Sequence, residues 1–405
     1  MINNANMNYI TMLLQGAKVE WKPLGEVVVL SNTGVDKKIK ENEKKVKLLN
    51  FVDVFKNHYI STKTPIMIVT ASERKIIECD IKSGDIFITP SSEIIDEIGF
   101  SAMAVEDFEN SVYSYHIMRL RINDKKFLYP AFLNYIFKSE NVRKQILLKA
   151  QGITRFGLTK SKWELLEIPI PPLPVQEEIV RILDTFTELT EELTAELTAR
   201  KKQYNYYRDN LLNFDNGYGA KLLKGAKVEW KHLGEVIKLE KGKQLNKELL
   251  TDNGIYPAYN GGISFSGYTD KYNYNENTII ISQGGASAGY VNFVTSKFYA
   301  NAHCYVVLPK LKIANIRYVY HYLKLNQETF TQNKHGAGIP ALRAEEILQI
   351  PIPIPPLPVQ EEIVRILDKF DALTNSITEG LPREIKLRKQ QYEYYRNMLL
   401  TFPKA

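Results

Sequence analysis

IPIPPLPVQEEIVRILDTF, residues Ile168–Phe186, returns as IPIPPLPVQEEIVRILDKF at Ile352–Phe370, with 18 of 19 positions identical at an offset of 184. Two further blocks behave alike. LLQGAKVEWKPLGEV (Leu13–Val27) matches LLKGAKVEWKHLGEV (Leu222–Val236) at 13 of 15 positions, offset 209. RKKQYNYYRDNLLNF (Arg200–Phe214) matches RKQQYEYYRNMLLTF (Arg388–Phe402) at an offset of 188. Between these blocks the halves have almost nothing in common. A repeated frame around dissimilar inserts implies an object whose halves do one job on two targets.

The decisive stretch also sets local structure. Its proline-rich entry cannot extend a helix backwards and stiffens the approach. From Val175 onward, apolar or long side chains recur at Ile179, Ile182, Phe186, Leu189, Leu193, Leu197, Arg200, Tyr204, Tyr207 and Leu211. These steps of three and four make a heptad seam with one four-residue stutter. Glu188, Glu191, Glu192 and Glu196 precede Arg200, Lys201, Lys202 and Arg208, an order that complements the helix dipole. A helix from Val175 to Leu212 would run about 57 Å.

The second copy carries the seam through Ile363, Ile366, Phe370, Leu373 and Ile377. It has four extra residues and a break expected near Gly380–Pro382. The two helices are expected to pair antiparallel as a coiled coil, because each leads out of one globular segment towards the other. The expected fold class is α+β with pseudo-two-fold organisation. Its segments are a first globular domain (1–172), a central helix (173–214), a second globular domain (215–354) and a C-terminal helix (355–405). Strands are expected at Ile66–Thr70, Asp85–Thr89 and Thr278–Ser282, and helices at Leu128–Lys138 and Ile316–Leu325.

Composition is that of an ordinary globular chain: 405 residues, 44% hydrophobic, 24% charged. Apolar runs are too short for a membrane span, and Met1–Tyr9 lacks a secretory signal pattern. Cys79 and Cys304 are too few for a disulfide framework, which fits a reducing cytoplasm. The net charge of +7 permits nucleic-acid binding without demanding it.

Catalytic motifs are missing. No phosphate loop, HExxH or CxxC occurs, and the histidines (His58, His116, His232, His303, His321, His335) are scattered singly. The Pro-Pro pairs lack the Asp/Asn and aromatic neighbours of an amino-methyltransferase loop. No metal site and no catalytic residue is assigned. Recognition remains. In the first domain the candidates for DNA contact are Arg74, Lys75, Thr89, Ser91, Ser92 and Arg155. In the second they are Lys241, Lys243, Gln244, Tyr268, Lys271, Ser282 and Gln283. Arg74, Gln244 and Gln283 suit base readout, since Arg and Gln bond guanine and adenine bidentately. Residues alone leave a rival reading open: a scaffold with two non-nucleic-acid binding modules on a coiled-coil rod.

Over nearly its whole length the chain resembles the specificity subunit of type I restriction–modification systems. The marks are PPLPVQEEIVRILDTF (Pro171–Phe186), PPLPVQEEIVRILDKF (Pro355–Phe370) and the RKxQYxYYR blocks. TEELTAELTARKKQYNYYR (Thr190–Arg208) is similar to the class with TAEL-type spacer repeats. The resemblance implies two target-recognition domains that read a bipartite double-stranded DNA target. It implies a non-catalytic subunit that joins two modification subunits, which methylate adenine using S-adenosylmethionine. Where two restriction subunits join, the complex uses ATP with Mg²⁺. No cofactor is expected on this chain itself.

Overall fold

The shared blocks meet in space and close each insert at both ends. In the computed structural model, which describes residues 4–332, 340–375 and 380–403, the chain forms two compact units. Unit 1 comprises Met1–Glu191 with Lys386–Ala405, and unit 2 comprises Glu192–Ile385.

In unit 1 the strand Glu20–Pro23 pairs antiparallel with Glu167–Ile170, Glu20 opposite Ile170 and Pro23 opposite Glu167. In unit 2 Glu229–His232 pairs with Pro351–Ile354 in the equivalent register, Glu229 opposite Ile354. The prolines are tolerated because a two-stranded ribbon has a free edge for residues that cannot donate. Just inside each clasp an amide closes the loop: Leu24 N–H donates to Leu166 O and Leu233 N–H to Ile350 O, both at 2.8 Å.

The inserts differ in sequence yet share a fold. In unit 1 the main sheet runs Val28–Ser31, Met118–Ile122, Ile86–Ile88, Ser101–Ala104, Tyr59–Ile60. In unit 2 it runs Ile237–Lys241, Cys304–Pro309, Thr278–Ser282, Val291–Val294, the same order without the last strand. A smaller sheet also recurs. Lys44–Leu49 lies between antiparallel Ile68–Ala71 and parallel Ser111–Tyr113. Tyr256–Tyr259 lies between antiparallel Gly267–Thr269 and parallel Tyr299–Ala300.

The apolar strands Ile86–Ile88 and Thr278–Ser282 are buried throughout, as continuous β-branched runs should be when both faces are covered. The helix Ile316–Leu325 has the expected bounds, and Pro130–Ile136 falls within the expected 128–138 span.

The first long helix is unbroken from Leu173 to Leu211. It leaves unit 1 and enters unit 2, while the Leu357–Asn375 and Gly380–Leu399 helices make the return passage in the opposite sense. The break expected near Gly380–Pro382 coincides with a left-handed residue. Gly380 has φ +73°, and a Cβ there would lie 2.5 Å from the Ala372 carbonyl, so only glycine fits. Pro382 then sits in the first turn, where its missing N–H costs nothing.

Each unit therefore holds one helical piece from each repeat copy. Phe186 stacks on Tyr395 at 5.1 Å in unit 1, and Phe370 on Tyr207 at 5.2 Å in unit 2. Ile179 and Ile363 are fully buried within the cores of their own units. Ile182 and Ile366 pack against those cores, while Leu189, Leu193, Leu197 and Leu373 are half-buried beside exposed neighbours. Ile377 and His335 lie outside the described residues. No described helix is long and apolar enough to cross a membrane.

Candidate nucleic-acid interface

The shared helices anchor the inserts through two buried groups. Gln176 and Gln360 are both fully buried. The Gln176 amide accepts from Tyr129 N–H and donates to Phe127 O and Pro171 O. Gln360 repeats this with Asn315 N–H, Ile313 O and Pro355 O. Every polar atom of the amide is satisfied, which makes burial affordable. About two turns further on, a carboxylate faces the insert. Asp184 accepts from Tyr59 and Tyr135 hydroxyls, whereas Asp368 accepts from Arg317 and His321.

In unit 1 a cleft of about 390 Å³ opens beside the smaller sheet, lined by Lys37, His116, Arg155, Ser92, Glu93 and Glu97 with Phe51, Val52 and Ile94. Arg155 is tied to the strand edge by Nε–H to Ser91 Oγ at 3.1 Å. Partial burial together with the neighbouring Arg155 and Lys37 cations holds the His116 imidazole below its usual range. Cations, carboxylates and hydroxyls in one cleft offer both donors and acceptors to base edges. Exposed Val52 and Ile94 supply apolar surface.

In unit 2 the corresponding sheet is aromatic and basic. Tyr256 meets Tyr272 at 4.9 Å, Phe265 meets Tyr268 at 4.9 Å, and Lys297 lies 4.7 Å over the Tyr272 ring. Lys241 ends a strand of the main sheet, and Lys243 just beyond it is fixed to the smaller sheet by its N–H to Ala300 O at 3.0 Å. Gly242 permits that approach, since a Cβ there would sit 2.1 Å from Asn301 O. Lys241, Lys243, Gln244 and Lys271 are exposed and Tyr268 is half-buried. Aromatic faces interleaved with lysines suit contacts to a polyanion.

Other sequence candidates stand elsewhere. Arg74 and Lys75 lie on a helix, Glu73–Glu78, which Ser72 caps by accepting from Lys75 N–H. Arg74 and Lys75 on that helix both pair with Glu78. Thr89, Ser92 and Ser282 are interior, and their hydroxyls are spent within the fold. Thr89 donates to Glu97 O, Ser92 to the Glu97 carboxylate and Ser282 to Gly262 O. Thr89 and Ser282 thus stand inside the fold, while Ser92 also lines the Lys37–Arg155 cleft. Gln283 is half-buried and donates to the Tyr305 hydroxyl.

Sequence reasoning missed Lys37, His116, Tyr256, Tyr272 and Lys297. The lysine run from Lys37 to Lys47 and the tyrosine-dense Tyr268–Tyr274 stretch were the available signals. Among the described residues, no group of three or more His, Cys, Asp or Glu is placed to hold a metal.

The model of the type I restriction modification DNA specificity domain matches residues 17–200 and 226–387. The type I restriction enzyme EcoR124I/EcoR124II specificity subunit of Escherichia coli is 33% identical, covering 99% of this chain and 98% of its own. The EcoprrI specificity subunit of the same species is 32% identical over 93% of each chain. Among solved structures, the type I restriction-modification S subunit from M. genitalium superposes with a TM-score of 0.65 at 19% identity, covering 100% of this chain and 98% of that one. That likeness concerns the fold.

Proposed function

This chain belongs to the type I restriction–modification DNA specificity family, and on that premise we propose that it selects a bipartite double-stranded DNA target and docks modification subunits there. The observation that carries the reading is the repeated frame: two inserts of one topology but unrelated surfaces, each clasped by the same strands. The first insert reads one half-site and the second the other. The shared helices tie the readers together and present identical surfaces to two modification subunits, one per half. The chain is non-catalytic. S-adenosylmethionine is bound by the modification subunits, and ATP with Mg²⁺ is used where two restriction subunits join. The setting is the cytoplasm.

The test is methyl transfer from S-adenosylmethionine to duplex DNA by the purified chain, by the modification subunit and by both together. Transfer at a defined split sequence is expected from the mixture alone. Transfer by this chain on its own would overturn the non-catalytic assignment. The rival scaffold reading predicts no salt-sensitive duplex affinity, whereas a DNA reader loses affinity steeply as salt rises.

A further inference from the structure

A second cleft in unit 1, about 410 Å³, gathers three cations, Lys138, Arg143 and Arg396, around Phe100, Phe137 and Tyr392. None of the three has a carboxylate within ion-pair distance among the described residues. Lys138 donates to His58 Nδ1 at 2.9 Å and lies over the Tyr135 ring. Arg143 donates to the backbone carbonyls of Asp96 and Ile98. Among the described residues, Arg396 bonds the neutral amide oxygen of Asn397, at 3.0 and 3.1 Å, and lies over the Tyr392 ring. Burial, with Arg396 nearby, pushes the Lys138 ammonium down to about 8 against the opposing pull of the Asp184 carboxylate. Asp96 is the acidic residue on the rim; its carboxylate favours the charged form of Arg143 without an ion pair among the described residues.

Unit 2 serves as an internal control, because the shared frame places an equivalent pair there. Arg208 occupies the Arg396 position, and Lys324 ends the helix matching that of Lys138. In unit 2 the countercharge is built in. Arg208 pairs with Asp209 at 2.8 Å, and Asp371 favours the charged form of Lys324. The repeat positions of Asp209 and Asp371 are Asn397 and Thr187 in unit 1. Asp184 favours the charged form of Lys138 as Asp371 does that of Lys324, so the difference between the units lies at Asn397, which stands where unit 2 has Asp209, the ion-pair partner of Arg208.

We propose that the Lys138–Arg143–Arg396 cleft binds a phosphate of the DNA backbone. This rests on the reading of the chain as a DNA reader and adds a register-setting contact to it. A phosphate fits better than a partner's carboxylate because the cleft continues the proposed reading surface. Phe51 stacks on Phe55 at 5.9 Å and Phe55 meets Phe100 at 4.8 Å, linking the Lys37–Arg155 cleft to this one. The short Ile95–Glu97 turn lends Glu97 to the first cleft and Asp96 to the second. Arg396 comes from the shared helix, so the contact ties the strut itself to the duplex.

The experiment copies unit 2 into unit 1. Asn397→Asp in the full chain supplies Arg396 with the carboxylate that Arg208 already tolerates, and Arg143→Gln removes a cation directly. Binding to a short random-sequence duplex is measured across salt concentrations, with thermal unfolding as the folding check. Each variant is expected to remain folded, bind several-fold more weakly at low salt and lose about one from the log–log salt slope. Unchanged slopes in folded variants would overturn the phosphate assignment. So would an unchanged slope with lost assembly onto the modification subunit, which would identify a partner's carboxylate as the anion. No salt-sensitive binding by the unaltered chain would instead defeat the DNA-reader reading beneath it.

Discussion

At the scale of residues, the shared frame works through few side chains with fully paired polar atoms. Gln176 and Gln360 could be matched in the sequence but not interpreted there, since a glutamine amid helix residues ordinarily faces solvent. Their burial follows from the loop carbonyls and amides that surround them. The interior position of the hydroxyl candidates was hidden for the converse reason. Thr89 and Ser282 lie at strand ends, and whether a turn hydroxyl faces water or a nearby carbonyl is decided by tertiary contacts. Lys241 and Lys271 were legible as surface groups because an unpaired lysine rarely goes inside.

His58 yields a pH prediction at this scale. Burial, with the Lys138 cation beside it, pushes its imidazole from 6.5 down to about 2. The unfolded chain therefore binds more protons than the folded one between those values. Stability conferred by neutral His58 is present above pH 6.5 and is lost as pH falls below it, by up to about 1.4 kcal/mol per pH unit. Urea midpoints at pH 7.5 and 5 are expected to fall less with pH in His58→Gln than in the unaltered chain. Equal falls in both would show that His58 does not govern the acid limb.

At the scale of elements, the long helices were the most legible part of the chain. Heptad spacing, dipole-compatible charge and a proline entry all pointed one way. What spacing could not convey is that the first turns of each helix pack into a globular core, as Ile179 and Ile363 do. Nor could it convey that the aromatic blocks pair across copies, Tyr395 with Phe186 and Tyr207 with Phe370. The helix from Leu173 to Leu211 contains TEEL and TAEL without interruption. Four residues amount to about 6 Å of helix, against 3.4 Å per base pair. Deleting Thr194–Leu197 is expected to shorten the unread gap of the target by one or two base pairs and leave both half-sites intact. Altered half-sites, or an unaltered gap, in mapped methylation would refute this.

At the scale of the whole molecule, the sequence repeats understate the symmetry. Inserts without detectable similarity share sheet order, a mixed three-stranded sheet and clasp register. Cores tolerate many apolar exchanges provided pattern and volume persist, so topology outlasts sequence. The surfaces are where the inserts diverge: a cleft of lysine, histidine and arginine in one, a tyrosine and lysine sheet in the other. Near-identity is confined to the strands and helices that frame the inserts, as expected if readers are exchangeable cassettes.

The most direct test replaces residues 24–166 with residues 233–350, joining at the clasp amides, so that both frames carry the second reader. Methylation is then mapped across a genome in cells supplying the modification subunit. A soluble chimaera whose target contains the second half-site twice would bear out the account. A target still containing the original first half-site, or a chimaera that cannot fold, would contradict the claim that each insert reads its own half within an interchangeable frame.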